Sequence, residues 1–158
     1  MKIEEKNNKI TKIITSSKTI NVKSSPVFST ISYAILNQLI GKNKFISGLE
    51  PFVNMGVVVC ILFIKKPLSK HYWTTVSDER HPFAAILQQN RLHAKSKFEI
   101  VYLSRYCEVE DKLFSQNDSY IKKSWTRSLL EIYPHISNKD IIDYKIFRNK
   151  NAAPLPLM

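Results

Sequence analysis

The chain has 158 residues, 44% of them apolar and 11% aromatic, which is the length of one domain with enough apolar side chain to bury a core. A net charge of +11, from 24 Lys and Arg against 13 Asp and Glu, favours anionic partners. The lysines are spread through Asn/Lys/Ile-rich stretches such as KIEEKNNKITKI, so a dedicated nucleic-acid surface is not expected, and three scattered glycines with neither GxGxxG nor GxxxxGK[ST] exclude a glycine-rich nucleotide loop in this sequence.

In chain order, KITKIIT (9–15) and TINVK (19–23) read as two short strands joined by a Ser-Ser-Lys turn, a hairpin. PVFST (26–30) is a third short apolar run. SYAILNQLI (32–40) has helical spacing, with Thr30 or Ser32 to cap its start and Gly41 just past its end. Gly48 and Pro51 mark a loop before VNMGVVVCILFI (53–64), a β-branched run that reads as a central strand closed by Pro67. Its 12 residues fall short of the roughly 20 needed to cross a bilayer, so no transmembrane segment is expected. The N-terminus is polar and charged, without the pattern of a secretory signal, and a cytoplasmic location is the default.

HYWTTV (71–76) and FAAILQQN (83–90) read as antiparallel strands around SDERHP, and KFEIVYLSRY (97–106) as the next strand, followed by an acidic loop. In SYIKKSWTRSLLEIY (119–133), Ile121, Trp125, Leu129 and Ile132 share one helical face, Asp118 is placed to cap the start, and Pro134 stops the helix. IIDYKIFR (141–148) is the final strand before an extended NAAPLPLM tail. No repeat or low-complexity linker interrupts the chain. Residues 1–158 therefore read as a single α+β domain with more strand than helix, a mixed or antiparallel sheet carrying a few packed helices.

The residues that ordinarily carry chemistry do not form patterns here. His71, His81, His93 and His135 lack any metal-ligand spacing, and a metal site needs several ligands converging at fixed distance. Glu108, Glu110 and Asp111 cluster in a loop, where solvated charge accounts for them. No GxSxG elbow is present. Cys60 sits inside an apolar run and Cys107 follows an aromatic strand; neither has a basic activator nearby in sequence, so both read as buried thiols. What remains is aromatic and polar decoration of a sheet: Tyr72, Trp73, Gln88, Gln89, Asn90, Tyr102, Tyr106 and Arg148. Tyr and Trp suit a core edge or a ligand wall equally well by chemistry. Arg148, at a strand end before the proline-rich tail, is either a clamp for a carboxylate or a structural donor.

The order of five segments says more than any one of them. KITKIITSSKTINVKSSPVFSTISYAILNQLI holds a strand pair and a VFSTIS return. NMGVVVCILFIKKPLSKHYWTTVSDERHPFAAILQQNRL holds the sheet strands with a Tyr-Trp pair and a Pro-Phe step. FEIVYLSRYCEVEDKLF and the helix end LLEIYPHI follow. In YKIFRNKNAAPLP, Arg148 precedes Pro154 by six residues. From about residue 9 to the end, this series resembles the middle-to-late region of FAD-dependent oxidoreductases of the amine oxidase superfamily, most nearly its protoporphyrinogen oxidase-like members.

The resemblance implies a substrate-domain portion of such an oxidoreductase. The 71–90 stretch would be two strands roofing a substrate pocket, with SDERHP mainly a connection. It implies Tyr72, Gln88, Asn90, Tyr106 and Arg148 as substrate-binding residues, and no catalytic or metal-ligating residue. FAD is the cofactor of full-length members, and the redox chemistry is the flavin's. The family's N-terminal dinucleotide fold and the C-terminal segment that closes over the flavin have no counterpart in this sequence, so the isolated chain is expected to bind no flavin and to catalyse nothing. Its implied partners are an organic small-molecule substrate and, in one arrangement, a separate flavin-binding chain. Two departures stand out. Ser32 replaces a usual proline. Gln88, Gln89, Asn90 and Arg91 stand where the family commonly has Glu-His-Thr-Asn, which removes a carboxylate and an imidazole. The alternative is a basic module for nucleic acid or anionic lipid, distinguished by steep salt dependence.

Overall fold

The computed structural model describes residues 1–23, 25–40, 52–92 and 96–156. The expected loop marks Gly41, Gly48 and Pro51, and His93, lie outside the described residues. The fold is α+β, and the chain divides into two compact units, Met1–Phe52 with Pro156–Met158, and Val53–Leu155.

The first unit is built on a three-stranded antiparallel sheet, β1 (Lys2–Lys6), β2 (Lys9–Ile14) and β3 (Thr19–Asn21), in that order. The expected β2–β3 hairpin is present. Its turn is closed by Thr15, whose N–H donates to the Lys18 carbonyl at 2.9 Å and whose hydroxyl accepts from Lys18 N at 3.0 Å. Strand β1 was not expected from composition, yet the Asn7-Asn8 pair explains it. Both residues have positive φ, 53° and 59°, the conformation a two-residue turn needs to match strand twist, and asparagine tolerates it. PVFST does not form a strand: residues 25–30 carry no regular structure, and Phe28 is 86% exposed. A short apolar run without a partner strand cannot satisfy its own backbone. Helix α1 (Tyr33–Ile40) begins beyond Ser32, whose carbonyl accepts from Leu36 N; the Ser32 hydroxyl itself caps nothing.

The second unit carries a five-stranded sheet of β4 (Phe52–Ile64), β5 (Trp73–Thr75), β6 (Ala85–Gln88), β7 (Glu99–Cys107) and β8 (Ile141–Pro156), in the order β5-β6-β7-β4-β8. The β5–β6, β6–β7 and β7–β4 pairs are antiparallel. In β4, alternate residues Val58, Cys60, Leu62 and Ile64 are fully buried. Helix α2 (Asp118–Ile132) covers that face with Ile121, Trp125 and Leu129, one residue per turn, and Phe83, Ile86, Val101, Leu103, Leu113 and Ile136 complete the core. The helix cap is Asn117, whose side chain accepts from Tyr120 N at 2.7 Å, and not Asp118 as its position suggested. Strand β8 runs on through the supposed tail to Pro156. Prolines are tolerated there because β8 is an edge strand, where a missing N–H breaks no ladder bond on the open side. Among the described residues, no helix is long and apolar enough to cross a membrane.

Candidate functional site

The sheet of the second unit has one face covered by α2 and an opposite face formed by the alternate residues of the same strands. Strand register decides what stands on the second face. Trp73 pairs with Leu87, Leu87 with Tyr102, and Tyr102 with Ile61, so one row of large side chains crosses four strands. The next row runs Thr75, Ala85, Ser104, Val59, and beyond it Val57 pairs with Tyr106. Trp73 is 54% and Tyr106 56% exposed; Leu87, Tyr102, Ile61, Val59 and Val57 are half-buried. The Trp73 indole N–H donates to Thr75 Oγ1 at 3.0 Å, which holds the ring along its own strand. The face is thus an aromatic and aliphatic wall with hydroxyls at its edges, the chemistry of a pocket lining for an organic ligand.

At the Tyr106 corner the wall adjoins a hollow of about 490 Å³ beneath the SDERHP loop, where His81, Phe83 and Arg105 meet Asp78 and Glu79. The loop is fixed from both sides. Arg80 forks onto Asp78, with Nη2 2.6 Å from Oδ2, and this hydrogen bond holds the Asp78 carboxyl well below the usual carboxylate range. His81 Nδ1 lies 2.6 Å from the hydroxyl of Ser128 on α2, and its ring stacks on Phe83.

The five residues assigned to substrate binding from the sequence do not converge. Tyr106 stands on the open face. Tyr72, half-buried, precedes β5, and its carbonyl accepts from Gln88 N at 2.8 Å. Gln88 is 1% exposed, and its amide is fully engaged. Oε1 accepts from Leu68 N (2.8 Å) and Ser69 N (3.2 Å); Nε2 donates to Ser69 Oγ (2.8 Å) and the His71 carbonyl (2.7 Å). Asn90 pins the β6–β7 connection, donating to the Phe98 carbonyl and accepting from Ile100 N. Arg148 lies on the helix side, where Nη2 donates to the Gln116 carbonyl at 2.6 Å and Nη1 pairs with Asp118 at 2.8 Å. The residues that the sequence reading passed over, Leu87 and Ile61, carry the open-face row together with Trp73 and Tyr102. Period-2 alternation marks them as one face, but only pairing register aligns them across strands.

Cys60 and Cys107 are buried free thiols, as their surroundings in sequence indicated. Burial pushes the Cys60 thiol up to about 12, with Asp118 adding to the shift, and burial also raises Cys107; neither offers a thiolate at neutral pH. Among the described residues, no three His, Cys, Asp or Glu side chains gather into a metal site. A dinucleotide requires backbone N–H groups at a glycine-lined turn, and the described residues do not provide one. Gly56, the one glycine among them, faces the Phe114 ring, which a Cβ would overlap, so its open space is filled by the core.

No protein-family profile matches the sequence, and no curated protein does. Solved structures share the fold, two among them as follows. A putative protoporphyrinogen oxidase from Exiguobacterium sp. 255-15 aligns with a TM-score of 0.65 at 12% identity, over 98% of this chain and 34% of its own. An oxidoreductase from Methanosarcina mazei aligns with a TM-score of 0.59 at 16% identity, over 94% of this chain and 36% of its own. The chain spans about a third of the length of each, and at these identities the likeness is one of fold.

Proposed function

We propose that this chain is a substrate-domain portion of an FAD-dependent oxidoreductase of the amine oxidase type, protoporphyrinogen oxidase-like. The observation that carries the reading is that nearly the whole fold recurs within a third of each of two oxidoreductase chains. The open face supports it: the Trp73–Leu87–Tyr102–Ile61 row, with Tyr106 beside it, forms one wall against which an organic substrate lies. In full-length proteins of that type a flavin supplies the redox chemistry, hydride removal from a substrate C–H bond. The described residues of this chain are assigned packing and orientation of substrate only, and no electron-transfer step.

The test has two parts. The chain, purified with added FAD and desalted, is expected to retain no flavin absorbance and to show no substrate-dependent peroxide formation with organic amines or porphyrinogens. Retained flavin with turnover would overturn the portion reading. The open face is tested by tryptophan emission, because Trp73 is exposed whereas Trp125 is 1% exposed in the core. Titration with the same compounds is expected to change Trp73 emission saturably and to leave Trp73→Phe silent. Unchanged emission across the panel would remove the open face as the binding wall.

A further inference from the structure

On the opposite side of the sheet, a cleft of about 280 Å³ opens between the SDERHP loop, the end of β7, the 111–116 segment and α2. Its floor is the buried Trp125 with Leu113, and three guanidinium groups line it: Arg80, Arg105 and Arg127. Arg80 is neutralised by Asp78. Arg105 and Arg127 are exposed and make no ion pair or hydrogen bond within the described residues. Two carboxylates also line the cleft. Asp111 is engaged in accepting from Leu113 N at 2.8 Å, and Glu131 adds to the field that keeps Arg80 charged.

Strand alternation sets Arg105 apart from the Trp73–Leu87–Tyr102–Ile61 row, although Arg105 also lines the hollow beside Tyr106. Arg105 follows Val101 and Leu103 on the helix-covered side, opposite Val58, whereas Tyr102 and Tyr106 point to the other face. The walls of the cleft are fixed. The 77–82 loop is tied by Asp78–Arg80 and by His81–Ser128; the 111–116 segment is tied by Asp111, by Arg148 on the Gln116 carbonyl, and by the Asn117 cap. A pre-formed cleft with two guanidinium groups whose N–H donors are unpaired lowers the ordering cost that a ligand would otherwise meet, while the Asp111 and Glu131 carboxylates on its lining oppose an anion.

We infer that this cleft binds the terminal phosphate group of a small ligand, between Arg105 and Arg127. Each guanidinium presents five N–H donors in a planar fork, so one carboxylate is fully met by one arginine. A phosphate monoester has three terminal oxygens and a charge of about −1.5 to −2 at neutral pH, and so accepts two forks at once. The exposed Tyr120 hydroxyl on the same rim is a further donor. The cleft is smaller than the roughly 300–1,000 Å³ typical of sites that enclose a whole organic ligand, which suits a phosphate group with the rest of the molecule outside.

Calorimetric titration at constant ionic strength, with inorganic phosphate, phenyl phosphate and benzoate, tests this in the intact chain. Saturable phosphate binding is expected, weakened about tenfold or more in Arg105→Gln/Arg127→Gln and unchanged in Lys150→Gln, a lysine that does not line the cleft. Phenyl phosphate binding more tightly than phosphate identifies an ester as the ligand; equal binding identifies free phosphate, and both outcomes support the site. No saturable binding, equal binding of benzoate, or full binding by the double variant with unchanged circular dichroism would overturn the inference. The open-face reading is tested separately, at Trp73, which does not line the cleft.

Discussion

Gln88 is the clearest place to test whether a polar side chain in the 71–90 stretch serves structure. Replacing it with methionine keeps the length and the apolar stem and deletes four hydrogen bonds. The Leu68 N–H is buried and would be left without a partner, at a cost of about 1–3 kcal/mol. The other three bonds are part-buried, so water can replace them in part, and each is worth about 1 kcal/mol or less. The total is roughly 1–6 kcal/mol, up to a large share of the about 5–15 kcal/mol by which a domain is ordinarily stable. For a chain of this length the middle of that range corresponds to a melting temperature lower by about 10 °C. Thermal unfolding followed by circular dichroism gives the shift, and hydrogen exchange at the Leu68 and Ser69 amides locates it. If Gln88→Met melts within about 2 °C of the parent, or the Leu68 amide keeps its protection, the staple argument is wrong.

Three further predictions concern the frame around the two faces. Gly56→Ala places a Cβ into the Phe114 ring and near the Asn149 carbonyl at 3.3 Å, and is expected to destabilise the chain by about 1–3 kcal/mol in urea unfolding; Phe114→Ala combined with it should recover part of the overlap cost. Arg148→Met removes the donor that ties β8 to the start of α2; about 1–3 kcal/mol of stability is expected to go, with faster exchange in the first turn of α2, and an unchanged profile would show that the bridge contributes nothing. Asp140 is held down from 3.8 to about 2 by the Ser137 hydroxyl, the Ser137 N–H and Lys66. Because the folded form is the stronger acid, this stabilisation is present above about pH 4 and is lost as the pH falls toward about 2. The difference in urea midpoint between the parent chain and Asp140→Asn should therefore shrink across that window, and a constant difference would contradict the assignment.

The sequence by itself determined those elements whose signals are local. The β-branched apolar run in 53–64, the one-face spacing of Ile121, Trp125 and Leu129, and the Ser-Ser-Lys turn each depend on neighbours a few residues away, and each is present. The Asn7-Asn8 turn was equally local, and its chemistry was there to be read. The 71–90 stretch shows where local reading stops. Its Pro-Phe step does feed a core residue, Phe83, but Gln88 points its amide inward at a loop 20 residues earlier in the chain, a partner no window of sequence contains.

Which face a strand residue occupies follows from alternation, but which residues of other strands stand beside it follows from register, and register is set by the whole sheet. Hence Trp73, Leu87, Tyr102 and Ile61 became one wall only when β4 was placed next to β7. The same placement sent Arg148 to the helix side, onto Asp118 and Gln116, and put Arg105 and Arg127 on one cleft although they come from a strand and a helix. Short-range backbone and packing preferences are written along the chain; convergence of side chains from distant elements is a property of the closed core, and only tertiary structure decides it.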